Sequence, residues 1–141
     1  MFTYEQGSGR FVFGRRSAAR LIAVCYAGAP GFVNDPATDH LRGKGPLPKG
    51  RYVIRETPHS RFHKPAFYLA PVPDAAAGDA GFDPLYWLHG RSDFWVHGDN
   101  ALLNRTASHG CIVMPLPARL ELKRLLDLRR GVPTPILSVV S

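Results

Sequence analysis

Hydrophobic positions in this chain come in short runs, alternating or continuous, each closed by glycine or proline. Residues 11–13 (FVF), 19–27 (ARLIAVCYA), 52–57 (YVIRET), 67–72 (FYLAPV), 94–97 (FWVH) and 134–140 (TPILSVV) read as β-strands, rich in β-branched and aromatic side chains. One stretch follows a helical period instead. Over residues 117–130, Ala118, Leu122, Leu125 and Leu126 fall on one face. Pro117 suits the first helical turn and Gly131 a C-terminal cap. Residues 28–50 form a long loop whose Gly/Pro punctuation marks tight turns. Residues 73–84, with an Ala-Ala-Ala-Gly-Asp-Ala-Gly run, read as a surface loop and the most mobile piece. About six strands stand against one clear helix, so the expectation is a mostly-β domain spanning residues 1–141, with no repeat and no linker.

Composition supports this and narrows the partners. The chain has 141 residues, 45% hydrophobic and 21% charged, within the globular class. Its 14 Gly and 13 Pro argue against a helical bundle. No window approaches the ~20 apolar residues that a bilayer span requires, so stable membrane insertion is not expected. Residues 1–20 lack the apolar core of a signal peptide, so export by a standard N-terminal signal is not expected either. Lys and Arg number 18 against 11 Asp and Glu, a net charge of +7. That balance suits an anionic partner such as nucleic acid, a membrane surface or cell wall. No nucleic-acid motif is present, and the densest basic cluster (Arg119, Lys123, Arg124, Arg129 and Arg130) is interleaved with Glu121 and Asp127 on the predicted helix. No nucleic-acid partner is expected. Two cysteines, Cys25 and Cys111, are too few for a disulfide scaffold.

The chemistry concentrates in His97-Gly98-Asp99-Asn100 and in Ala107-Ser108-His109-Gly110-Cys111-Ile112-Val113. A cysteine that attacks a carbonyl needs a base and donors for the oxyanion. His97, delivered at a strand end, could be that base and could lower the thiol pKa into the ~3.5–7.5 range of His-paired cysteines. Gly110 permits a tight turn that aims consecutive N–H groups at one point, and Ile112 and Val113 anchor the turn as a strand. Cys25, inside an apolar run, reads as an inert buried residue. A metal site built from His89, His97, His109 and Cys111 is the competing reading, but these spacings match no familiar ligand pattern. No metal and no cofactor are expected.

His97-Gly98 followed by Ser108-His109-Gly110-Cys111 resembles the signature of the L,D-transpeptidase catalytic domain. More narrowly, the chain is similar to the type VI secretion L,D-transpeptidase effector family. The similarity runs through Tyr26-Ala27-Gly28, Asn34-Asp35-Pro36, Gly45-Pro46-Leu47-Pro48-Lys49-Gly50-Arg51-Tyr52-Val53-Ile54 and Phe94-Trp95-Val96-His97-Gly98-Asp99-Asn100. The resemblance implies an L,D-transpeptidase-like β-sandwich with one or two short helices. It also implies action on peptidoglycan stem tetrapeptides at the bond between meso-diaminopimelate and D-Ala, by hydrolysis or D-amino acid exchange. By the same resemblance Cys111 is the nucleophile and His97 its base. The Gly98 carbonyl orients the imidazole, Ser108 steadies the turn, and the Gly110 and Cys111 amides hold the oxyanion. His109 matches a common family position; with Arg91 and Asp99 it makes up the expected substrate contacts.

Three departures stand out. Val113 and Met114 occupy positions where the usual transpeptidase often carries a carboxylate-binding Arg or Asn, and Arg91 is the expected substitute. Ala27 and Asp35 replace the family's Ser and Asn. An export signal, which a housekeeping enzyme needs, is not evident. The expected setting is therefore an antibacterial effector made in the cytoplasm, delivered by a secretion apparatus and active in the target periplasm, with an immunity protein as partner. A housekeeping or phage-encoded L,D-transpeptidase and an inactive wall-binding module are the alternatives.

Overall fold

The computed structural model describes residues 1–57, 61–100, 102, 105–129 and 134–141, with the side chain of Arg16 excepted. Period-2 alternation builds the sheet. In β1 (Phe2–Glu5), Phe2 and Tyr4 are buried; β2 (Arg10–Phe13) adds Phe11 and Val12. β4 (Gly50–Glu56) turns Tyr52 and Ile54 inward, β5 (Phe67–Pro71) Phe67 and Leu69, and β8 (Ile136–Val140) Leu137 and Val139. With β3 (Arg20–Val24), β6 (Trp95–His97) and β7 (Ile112–Val113), these form one eight-stranded sheet in the order β3-β2-β1-β8-β4-β5-β6-β7. Strand β8, last in the sequence, is inserted between β1, which it parallels, and β4, which it opposes.

The sheet curls until its two ends meet. Just beyond β3, Tyr26 donates to the Val113 carbonyl at 3.3 Å and accepts from the Val113 amide at 2.8 Å. This bridge explains why residues 19–27 are not one strand. Regular pairing with β2 stops at Val24 because Tyr26 crosses to β7.

The mostly-β expectation holds, with two short α-helices among the described residues. α1 (Ala75–Asp79) falls where a mobile surface loop is expected. Asp74 caps it, accepting from Ala76 N at 3.1 Å, and the alanine run favours the helix. α2 spans Leu116–Leu128, one residue earlier than its sequence pattern suggests, and packs against β3 with Ala118, Arg119, Leu122 and Leu125 buried. Arg130 and Gly131, its predicted end and cap, lie outside the described residues. β1 was missed by the sequence pattern because four residues with no preceding turn signal give too little alternation to read. Among the described residues no helix is long and apolar enough to cross a membrane.

Candidate active site

Strands β6 and β7 run parallel, with Val96 opposite Ile112 and His97 opposite Val113. Paired residues in a ladder share a face. Val96 and Ile112 therefore both point into the core, and both are fully buried. Cys111, one position before Ile112, then falls on the same face as His97, one strand across and two residues back. That offset is about 4.8 Å by 6.6 Å between backbones, within reach of a thiol and an imidazole turned toward each other. Both side chains border one cavity of about 410 Å³, together with Phe62, Phe94, His109 and Gly110.

His97 is held from two sides. Its Nδ1 lies 2.7 Å from the Gly98 carbonyl, which makes Nδ1 the protonated nitrogen and leaves Nε2 as the acceptor. Phe62 stacks on the ring, with centroids 4.2 Å apart and planes 7° from parallel. Burial lowers the imidazole pKa, the Gly98 carbonyl opposes that shift, and the charges of Arg119 and Arg61 add to it. Gly98 is glycine for a steric reason: a Cβ there would stand 2.5 Å from Arg119 Nη2. Arg119, buried on α2, donates to the carbonyls of Met114 (3.0 Å), His63 (3.3 Å) and Pro65 (3.0 Å). It thereby ties the segment that carries Phe62 to the end of β7.

Ser108, fully buried, organises the turn before Cys111. Its hydroxyl accepts from the Gly28 and Gly110 amides, both at 3.0 Å, and donates to the Cys111 carbonyl at 2.6 Å. Gly110 has φ +142°, and a Cβ there would meet Arg91 Nη2 at 2.5 Å and Phe94 Cε1 at 3.1 Å. The tight turn expected of the sequence is present, yet the Gly110 amide points at Ser108 rather than at an open oxyanion site. The Cys111 sulfur lies 3.7 Å from the Asp93 carbonyl. Its thiol is pushed up to about 11, chiefly by burial, against the opposing Trp95 backbone N–H. The lowered thiol pKa expected from the sequence is therefore not met. A thiol raised to about 11 and an imidazole lowered from the ordinary histidine value of 6.5 are both neutral at pH 7. Cys25 is also a free thiol, 3% exposed and raised by burial to about 12.

The three expected substrate contacts fare differently. Arg91 borders the cavity but is only 4% exposed. Its Nη1 donates to the carbonyls of Asp39 and Pro46, and its Nη2 to those of Gly45 (2.9 Å) and His109 (3.2 Å). The guanidinium that was expected to reach for a carboxylate is directed at backbone instead, because desolvating a cation requires that its donors be satisfied. Asp99 accepts from the Tyr26 hydroxyl at 2.7 Å, and that hydroxyl accepts from Ala107 N at 3.2 Å. Asp99 thus ties the loop after β6 to the closing bridge of the sheet. His109 is exposed in the cavity, with Nδ1 3.3 Å from the Gly43 carbonyl. His89, of the metal reading, stands against His40 instead.

Sequence reasoning missed Phe62, Arg61, Asp93 and Arg42, all of which line the cavity. Arg61 pairs with Asp93 at 2.9 Å, and Asp93 also accepts from Trp95 Nε1 at 2.8 Å. An aromatic or a cation in a loop carries no spacing signal that would set it apart. A second cavity of about 330 Å³ shares Arg61, Phe62, His97 and Ala107 with the first and continues past Gly98, Asp99 and Asn100.

The class that these features define is a mostly-β protein whose curled sheet offers a cysteine and a histidine, from neighbouring parallel strands, to one cleft. The chain belongs to the Tlde1 domain family, whose model matches residues 22–130, the type VI secretion L,D-transpeptidase effector family. The match takes in the candidate site residues from Arg91 to Cys111 and the whole of α2. The family carries L,D-transpeptidase-type enzymes delivered as type VI effectors into target cells. No curated protein and no solved structure gives a match.

Proposed function

We propose that this protein is a cysteine-dependent L,D-carboxypeptidase/L,D-transpeptidase of peptidoglycan, an antibacterial effector that acts on stem tetrapeptides in the target periplasm. One observation carries the reading: Cys111 and His97 share a face and a cavity, and the Gly98 carbonyl at 2.7 Å from Nδ1 leaves Nε2 available as a base. The thiol proton passes to Nε2 as sulfur attacks the carbonyl of the L-centre of diaminopimelate. The Cys111 amide, not committed to Ser108 as the Gly110 amide is, is the donor for the oxyanion. The tetrahedral intermediate collapses to a thioester, and the proton on His97 goes to the departing D-Ala amine. Water, or the amine of an incoming D-amino acid, then attacks the thioester while passing a proton to His97, and His97 returns that proton to the departing Cys111 sulfur. The products are a tripeptide or an exchanged tetrapeptide, and Cys111 regains its proton.

A neutral thiol beside a neutral imidazole suits this order of events, because proton transfer accompanies attack instead of preceding it. The net charge of +7 suits an anionic wall. The test is incubation with purified disaccharide-tetrapeptide, read by mass. Cys111→Ala abolishes turnover with the fold intact, and Cys25→Ala changes it little. Equal loss in both variants, with both still folded, would overturn the assignment. An immunity protein and a secretion apparatus are the partners this reading requires. Accordingly, a periplasm-directed form kills a bacterial host in a Cys111-dependent way, and the same chain kept in the cytoplasm does not.

A further inference from the structure

The cavity beside Cys111 is bordered by three guanidinium groups, and their surroundings differ. Arg91 is buried and bonded to four carbonyls. Arg61 is paired with Asp93 at 2.9 Å. Arg42 is exposed on the cavity wall, and among the described residues no carboxylate pairs with it. The loop that bears it is nevertheless braced. His109 Nδ1 meets the Gly43 carbonyl at 3.3 Å, and Arg91 holds the carbonyls of Gly45 and Pro46 at 2.9 and 2.7 Å. Both braces originate beside the nucleophile: His109 is two residues before Cys111, and Arg91 contacts the His109 carbonyl. A cation borne on a backbone held in this way beside the sulfur, with no carboxylate paired to it among the described residues, is available to an anion on the substrate.

We infer that Arg42 is the specificity-determining residue that binds a carboxylate on the half of the substrate that stays on the sulfur. This rests on the reading above, in which that carboxylate belongs to the diaminopimelate side chain. The side of the cleft follows from the lining. Arg42 borders the cavity with Cys111, whereas the second cavity, beyond His97 and Phe62, is lined by Gly98, Asp99 and Asn100 and not by Arg42. His97 borders both cavities, whereas Cys111 and Arg42 border only the first; the acyl half, bonded to the sulfur, is therefore assigned to the Arg42 side and the departing D-Ala to the second cavity. Val113 and Met114, which follow the Cys111 turn, offer no competing contact: both are apolar and buried, at 3% and 0% exposure.

The experiment compares disaccharide-tetrapeptides that carry the side-chain carboxylate of diaminopimelate free or amidated. Arg42→Gln lowers kcat/KM on the free form by about 10- to 100-fold, mostly through KM, as expected for one charge-assisted hydrogen bond. It leaves the amidated form unchanged, and Arg42→Lys recovers part of the preference. A substrate ending in D-alaninamide serves as control: the ratio of wild-type to Arg42→Gln rates is the same for it as for D-Ala. Direct binding in the Cys111→Ala background gives a readout that does not need turnover. There Arg42→Gln raises Kd for the free form alone. Equal effects on free and amidated substrates, or an effect that tracks the D-Ala carboxylate, would overturn the inference. If Cys111→Ala still turned substrate over while Arg42 governed binding, the catalytic reading would fail and the carboxylate site would stand.

Discussion

Replacing Arg91 separates a brace from a substrate ligand, and the two roles predict different numbers. The guanidinium bridges the carbonyls of Asp39, Gly45 and Pro46 on one loop to that of His109 beside Cys111. Arg91→Met would leave four carbonyls with no donor in a site that is 4% exposed. Each hydrogen bond to a charged group contributes about 1.5–3 kcal/mol, but removing the cation also removes its desolvation penalty. The net cost is therefore about 3–5 kcal/mol, the size expected for deleting one partner of a buried ionic network. A domain of this length has only about 5–15 kcal/mol in all. At roughly 2–4 °C per kcal/mol, the melting temperature falls by about 6–20 °C. Arg91→Lys loses less, because one ammonium keeps the charge but cannot span carbonyls that a planar fork reaches. Thermal and urea unfolding followed by circular dichroism give the stability, and single-turnover acylation gives the chemistry. Both variants lose acylation rate in step with stability, since the turn that presents Cys111 is no longer held. If Arg91→Lys melted with the wild type and only its KM rose, Arg91 would be a substrate ligand and the bracing argument would be refuted.

Four further outcomes are expected. With the thiol at about 11, alkylation of Cys111 by iodoacetamide is slow at pH 7 and rises about tenfold per pH unit toward that value; a fast reaction with an inflection near pH 6 would mean a preformed thiolate–imidazolium pair. His97 must be neutral to act as a base and its pKa is lowered by burial, so activity persists below pH ~6.5, the ordinary histidine value, before its acid limb appears. Phe62→Ala exposes that ring and moves the limb to higher pH, Phe62→Trp restores it, and an NMR titration of His97 that does not shift would sink the idea. Gly110→Ala forces a Cβ to 2.5 Å from Arg91 Nη2 at a φ of +142°, costing about 1–3 kcal/mol in urea unfolding and most of the acylation rate.

Local chemistry made much of this protein legible from its sequence. Strands with inward Tyr52, Phe67, Leu69, Leu137 and Val139 declare themselves by alternation, and α2 by its leucine spacing, because burial of one face imposes a period that a single chain displays. The turn before Cys111 was equally readable, since Ser108, Gly110 and Cys111 are neighbours in sequence and their geometry is a matter of adjacent dihedral angles. What the sequence could not decide was everything that depends on chain segments meeting from afar. The insertion of β8 between β1 and β4 and the closure of the sheet at Tyr26 and Val113 are long-range pairings with no local signature. Arg91 and Arg42 are both arginines in loops, and only packing buries one among carbonyls and leaves the other facing the cavity. The resting thiol followed the same logic. A histidine in the sequence suggested a thiolate, but desolvation of the sulfur, which exists only once the walls of the cavity have assembled, pushes the proton back on.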